Sequence, residues 1–295
     1  MGPSVRPILW ILLAVLVPAV SASAQSEGPV GVRATGMGGA FTAVADDSSA
    51  AFWNPAGFAT GSFFSLVVDG NVLDRRSAAF VGMGVPPLGL SYYRTAIAEV
   101  ANGRNTLVAH HAGVTLVHSI GGRLAVGSTL KFVHGVASQP EGSEAMSSNA
   151  FDADIGVMTT GSFGQLGLSI RNLLEPDFKT AGGHIRLERR VRGGVSIHTG
   201  QATTVAADLD FTTANTPRGE WRDAALGVET HPVSKAWLRG GVHWNTAGDQ
   251  GPGAAPIGSV GGSYAVYGSV TADAQVSFGS HDGDRGWGVG LRFVF

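Results

Sequence analysis

The residues in this chain that could do chemistry are two pairs of carboxylates and one pair of imidazoles. Asp152 and Asp154 are two positions apart, as are Asp208 and Asp210. On a strand, that spacing puts both members on one face. Two carboxylates held together serve acid–base work or bind calcium. His110 and His111 are adjacent, so on a strand they point to opposite faces and cannot chelate one ion together. Gly36-Met-Gly-Gly is only loosely a dinucleotide loop and lacks a preceding strand and a βαβ unit. The chain contains no HExxH, GxSxG or Walker sequence, and no cysteine. No catalytic set, metal site or cofactor is implied, and the expectation is a protein that is not an enzyme. The aspartates instead read as acids facing bases inside a confined polar space.

The elements that position these residues follow from the alternation of side chains. Trp287, Val289, Leu291, Phe293 and Phe295 alternate with Gly288, Gly290, Arg292 and Val294. Val270, Ala272, Ala274, Val276 and Phe278 alternate with Thr271, Asp273, Gln275 and Ser277. The same period of two runs through 123–132, 151–157, 204–211 and 235–244. One face is apolar. The other carries Gly, Ser, Thr and charges of both signs: Arg123, Lys131, Asp152, Asp154, Arg192, Asp208, Asp210, Arg239, Asp273 and Arg292. Residues 88–100 and 104–120 do not divide cleanly. About fourteen such segments fit between 62 and 295, each long enough for a tilted membrane strand. Short turns at Ile120-Gly121-Gly122, Gly161-Ser162, Thr199-Gly200 and Gly268 separate several of them. Longer loops are expected at 139–149, 177–185, 213–220 and 248–256.

Composition agrees. Charged residues make up 14% of the chain, against about 25% in ordinary soluble domains. The formal net charge of −2 gives no basic excess for nucleic acid. Arg6, the apolar run Ile8–Val17 and Ala22-Ser23-Ala24 read as a signal peptide over 1–24. Residues 25–61, rich in Gly and Ala, show no strand alternation, and 62–295 forms a single alternating domain. The fold class expected is therefore all-β: a transmembrane antiparallel β-barrel, closed because open edges are not tolerated in lipid.

Two stretches carry resemblances. Trp287-Gly-Val-Gly-Leu-Arg-Phe-Val-Phe295 resembles the closing-strand signal of bacterial outer-membrane proteins, with Trp287, Leu291, Phe293 and Phe295 as its apolar positions. That implies recognition by the barrel-assembly machinery and a location in the bacterial outer membrane, among its lipids. Gly31-Val-Arg-Ala-Thr-Gly-Met-Gly-Gly-Ala-Phe41, continuing to Ala51-Phe-Trp-Asn-Pro-Ala-Gly57, resembles the opening of FadL-like barrels, with wording nearest the PorV/PorQ type. The resemblance implies fourteen strands and an N-terminal plug, with Gly36, Gly38, Gly39, Asp46, Asp47, Asn54 and Pro55 as its plug or gate positions. It also implies transport of hydrophobic or amphipathic molecules. The alternative is a PorV-like role in protein secretion or surface attachment. The partners would be a lipophilic ligand or a secreted protein respectively.

Overall fold

The computed structural model describes residues 30–73, 76–100, 105–138, 145–180, 183–200, 202–216, 219–248, 255–280 and 284–295. The signal-peptide reading over 1–24 lies outside the described residues. The barrel strands are β1 (Ser65–Leu73), β2 (Arg76–Val85), β3 (Leu88–Val100), β4 (Asn105–Ile120), β5 (Leu124–Ser138), β6 (Met146–Thr160) and β7 (Gly164–Arg171). They continue, after a short hairpin of β8 (Asp177–Thr180) and β9 (Gly183–Arg186), with β10 (Arg190–Thr199) and β11 (Thr203–Asp210). A second short hairpin, β12 (Ala214–Thr216) and β13 (Gly219–Trp221), precedes β14 (Asp223–Val233) and β15 (Ala236–Asn245). The wall ends with β16 (Ile257–Tyr267), β17 (Val270–Phe278) and β18 (Gly286–Val294).

The fourteen strands form one closed antiparallel barrel, in which each strand pairs with the next wall strand in the chain and β18 pairs back to β1. Ser65 to Leu73 meets Val294 to Gly286 without a register break. The ladder continues beyond β18, as Phe64 and Phe295 exchange two backbone hydrogen bonds of 3.2 and 3.0 Å. Closure leaves no unpaired edge, as the alternation required.

Burial repeats with period two. In β1 the pattern is Ser65, Val67, Asp69, Asn71 and Leu73 inward, with Val68 and Val72 exposed. Trp287, Val289 and Leu291 of β18 are all exposed, while Gly288 is buried. The exposed apolar side of this wall reverses the usual arrangement of a soluble protein and has the form of a lipid-facing surface.

The two ends of the barrel differ. At one end, β2–β3, β4–β5, β6–β7, β10–β11, β14–β15 and β16–β17 are joined by two or three residues. Gly121, Gly122, Gly200 and Gly268 take positive φ in these turns. At the other end, every connection except β1–β2 is longer. Two of the expected loops, over 177–185 and 213–220, instead contain the β8–β9 and β12–β13 hairpins. Strands of three or four residues are too short for alternation to show in a sequence.

Candidate functional site

Residues 30–61 occupy the lumen. They form two short helices, α1 (Val32–Gly36) and α2 (Ala50–Trp53), and a 3-10 turn over Pro55–Ala59. Nothing about five- and four-residue helices makes them stable alone. What holds them is the wall. The backbone of the segment lies against wall glycines, and the fit is so close that a Cβ on the wall side would overlap it. Gly241 of β15 faces Met37 and Gly38, Gly127 of β5 faces Pro55 and Ala56, and Gly167 of β7 faces Thr42. Gly38 also has a positive φ of 67°, so it is constrained both by conformation and by space. The apolar centre of this packing is Met37, Phe41, Phe52, Trp53 and Phe58, all buried in one cluster that includes Phe80, Tyr93 and Met158 of the wall.

Polar groups complete the attachment. Asp208 accepts the N–H groups of Phe41 and Thr42 at 3.0 and 2.9 Å and also takes Arg192 at 3.1 Å. Arg192 reaches Asp210 and Asp223 at 3.1 and 3.0 Å and donates to the Gly39 carbonyl at 2.9 Å. Arg33 of α1 pairs with Asp46, with Asp47 at 3.2 Å and with Glu229 of β14. Burial works against the charge on Arg33, but Asp46, Glu229 and Asp47 hold it protonated well above the ordinary arginine value. Burial likewise opposes ionisation of Asp47, yet Arg33 and Arg292 hold its carboxyl below the ordinary value. Arg239 bridges Glu229 and Asp273, and Arg292 bridges Asp273 and Asp47, so Arg33, Asp46, Asp47, Glu229, Arg239, Asp273 and Arg292 form one continuous network, beside the Arg192 cluster.

The plug positions named from the sequence distribute as follows. Gly36 lies against Gly261, Gly38 against Gly241 and Val242, and Gly39 beside the Trp53 ring and Arg192. Asn54 donates to the carbonyls of Thr42 and Val157 at 2.8 and 3.2 Å and accepts the Ala56 N–H, so it caps the turn that Pro55 begins. Asp47 meets the wall arginine Arg292. Asp46 meets Arg33 of the segment itself rather than a wall arginine.

Of the charges expected in the lumen, Lys131, Asp152, Asp154, Arg192, Asp208, Asp210, Arg239, Asp273 and Arg292 lie on the inner face. Arg123 is a correction. It is exposed in the Gly121-Gly122-Arg123 turn, before the alternation of β5 begins at Leu124. Asp152 and Asp154 share one base, Lys131, which lies 2.8 and 2.7 Å from them. The same carboxylates accept the N–H groups of Leu174 and Asn172 at 3.1 and 2.9 Å. This draws the start of the β7–β10 connection inward, and Phe178 and Leu187 of that connection pack on Ala109 and Val133 inside the mouth. Sequence reading missed Arg33, Asp69, Glu229, Asp223 and Arg190. Glu229 was legible in principle, since Leu226 and Val228 fix its parity as inward.

A cavity of about 110 Å³ sits between the inner segment and the end with long connections. Its floor is Val30, Gly38, Gly39, Phe52 and Trp53; its sides include Leu73, Trp221, Ile257, Arg76, Arg171, Arg190 and Arg192. Arg171 lies over the Phe52 ring at 4.1 Å and Arg192 over Trp53 at 5.7 Å, so aromatic faces and guanidinium groups share the site. Among the described residues no cluster of three or more His, Cys, Asp or Glu suits a metal ion. The chemistry available is binding of an apolar or amphipathic molecule against the aromatic faces.

Comparisons with known proteins bear on this geometry. The family model for TraF, a protein of the F plasmid transfer operon, matches residues 112–210. No curated protein matches the chain. Among solved structures, the CymD monoaromatic hydrocarbon channel is similar at 14% identity and a TM-score of 0.69, covering 92% of this chain and 98% of that one. The toluene transporter TbuX of Ralstonia pickettii gives 13% and 0.65, over 91% and 98% of the two chains. A FadL homologue of Pseudomonas aeruginosa gives 11% and 0.68, over 92% and 99%. Nearly complete coverage on both sides shows that this chain has the fold of the FadL-like barrels.

Proposed function

We propose that the protein is an outer-membrane channel for small hydrophobic or amphipathic molecules, with residues 25–61 as a plug in a barrel over 62–295. The observation that carries this is the cavity whose floor is the inner segment itself. A molecule captured there rests on Phe52 and Trp53, so movement of the segment opens the way onward. A dry cavity of roughly 150 Å³ suffices for benzene, and the site described here approaches that size. The similar structures include a monoaromatic hydrocarbon channel and toluene transporters, which supports the same substrate class. Outer-membrane barrels place short turns on the periplasmic side, so the cavity faces outward in this reading. The segment Trp287, Leu291, Phe293 and Phe295 serves as the signal to the assembly machinery.

The test is toluene uptake by liposomes holding the full chain. Gly241→Val, which pushes on Met37 and Gly38, is expected to raise the flux severalfold. Flux equal to that of empty liposomes for both proteins would remove the channel reading.

A PorV-like role is the second reading, and one observation favours it. The inner segment touches wall strands all around the circumference, which suits a barrel that stays shut while its long connections hold an exported protein. Crosslinking from 172–189 and 211–222 to a stoichiometric protein partner, with no toluene flux, is the result that would select it.

A further inference from the structure

The outward face of the wall is largely apolar, with a polar patch across β3–β6 and a separate histidine, His118, near the short-turn end of β4. Among the strand residues whose side chains are described, Arg94 of β3 is the only Asp, Glu, Lys or Arg on that face. Its neighbours Tyr93 and Thr95 are buried on the inner side, which fixes its direction. Arg94 makes no ion pair with any described residue. Yet it does not stand alone, because the register places Arg94 beside His110, His110 beside His134, and His134 beside Asn149. These four residues form a continuous row across β3, β4, β5 and β6. Neighbouring strands lie about 4.8 Å apart, so the row runs about 14 Å, the scale of a lipid headgroup rather than of a single small ion.

The row has a defined position. One step toward the short-turn end lies the parallel row Tyr92, Ala112, Phe132 and Phe151, whose three aromatics are 46, 42 and 74% exposed. Beyond them Leu90, Val114 and Leu130 continue the exposed apolar surface. Aromatic residues followed at once by polar ones mark the boundary of the apolar band on a membrane barrel. His134 is ten residues from the turn end of β5 at Leu124. At about 3.3 Å per residue and a tilt near 40°, that is roughly 25 Å, the height of such a band.

The imidazoles are held in place rather than free to swing. The Tyr92 hydroxyl is 2.7 Å from Nδ1 of His110, and Nδ1 of His134 is 2.7 Å from Asn149 Oδ1. The His110 and His134 rings are 6.1 Å apart. Nε2 of each ring is thereby left for another partner, next to a guanidinium with two donors to offer.

We propose that this row binds the phosphate of an anionic lipid in the leaflet facing the long-connection end. Arg94 supplies the charge and the paired donors that phosphate geometry favours, and His110, whose Nδ1 takes the Tyr92 hydroxyl, supplies a further donor at Nε2. The aromatics below lie against the acyl chains. This inference rests on the outer-membrane reading but not on transport.

The test titrates the detergent-purified full chain with diphosphoryl lipid A and reads bound lipid by native mass spectrometry. Arg94→Gln and the double variant His110→Gln/His134→Gln are compared with the parent, after each is shown to fold by its heat-dependent shift on a gel. Losing one membrane-surface arginine is expected to weaken lipid A at least about fivefold, with partial recovery in Arg94→Lys. Phosphatidylcholine is expected to bind parent and variants alike, and inorganic phosphate at the same concentration is expected not to compete. Equal lipid A binding by parent and Arg94→Gln would overturn the proposal. Displacement by inorganic phosphate would overturn its assignment to a lipid. Toluene flux in Arg94→Gln is expected to match the parent, so failure here is separable from failure of the channel reading.

Discussion

Arg33 and Glu229 meet in a two-point pair, Nε to Oε2 at 2.9 Å and Nη2 to Oε1 at 2.8 Å, across 196 positions of sequence. The pair ties the first helix of the lumen segment to a strand on the far side of the chain. Two parallel charge-assisted bonds fix orientation as well as distance. Glu229→Gln is expected to destabilise the folded barrel by about 2 kcal/mol, since Arg33 keeps Asp46 and Asp47. The temperature at which the compact gel band disappears reads this. The double variant Arg33→Gln/Glu229→Gln should lose less than the sum of the two single changes.

The glycine contacts predict a different kind of failure. Gly127→Val places a side chain where Pro55 and Ala56 already lie. The wall there is a paired strand, so the segment must give way. Trypsin should then cut at Arg33 in the folded variant much faster than in the parent. Equal resistance would mean that the segment and wall are less tightly matched than their spacing indicates.

Lys131 holds two buried carboxylates and, through them, the backbone of Asn172 and Leu174. Lys131→Met leaves Asp152 and Asp154 facing one another without a cation, at a cost of about 3–5 kcal/mol. The triple variant with Asp152→Asn and Asp154→Asn should recover much of it. Thermal unfolding in detergent distinguishes the two, and limited proteolysis between 172 and 189 should follow the same order.

Asp47 makes the segment sensitive to acid. Its carboxyl is held below the ordinary value of 3.8 by Arg33 and Arg292 against the opposing effect of burial. A depressed folded-state value means that its stabilisation is fully present above the unfolded value and is lost as pH falls through the folded one. Stability should therefore fall below about pH 4 by more in the parent than in Asp47→Asn, measured as unfolding temperature at pH 7, 4 and 3.

The barrel was legible because alternation in β17 and β18 is nearly free of exceptions. Alternation blurred in β3 and β4 for a physical reason. Tyr93 and Leu107 are apolar side chains facing inward, and Arg94 and His110 are polar ones facing outward. Lumen charges were legible where parity was clean, as at Asp208 and Arg239. Arg123 misled because it extends the parity of β5 past the end of the strand. Which acid meets which base was not readable, since Arg33 and Glu229 depend on how a segment without periodicity folds inside the wall. Likewise, Tyr264, Tyr267 and Trp287 are exposed outside, whereas Trp221 lines the cavity. A single sequence does not separate those two settings.

The wall glycines also bear on how wide this barrel can be. Barrel diameter follows from the number of strands and their stagger. The inner segment meets wall backbone directly at Gly127, Gly167 and Gly241, leaving no slack for a wider or narrower ring. One more hairpin would open a gap around α1 and α2, and one fewer would drive the wall into Phe41 and Trp53. The segment is therefore a gauge for the circumference, so any relative with a different strand count must carry an inner segment of different bulk.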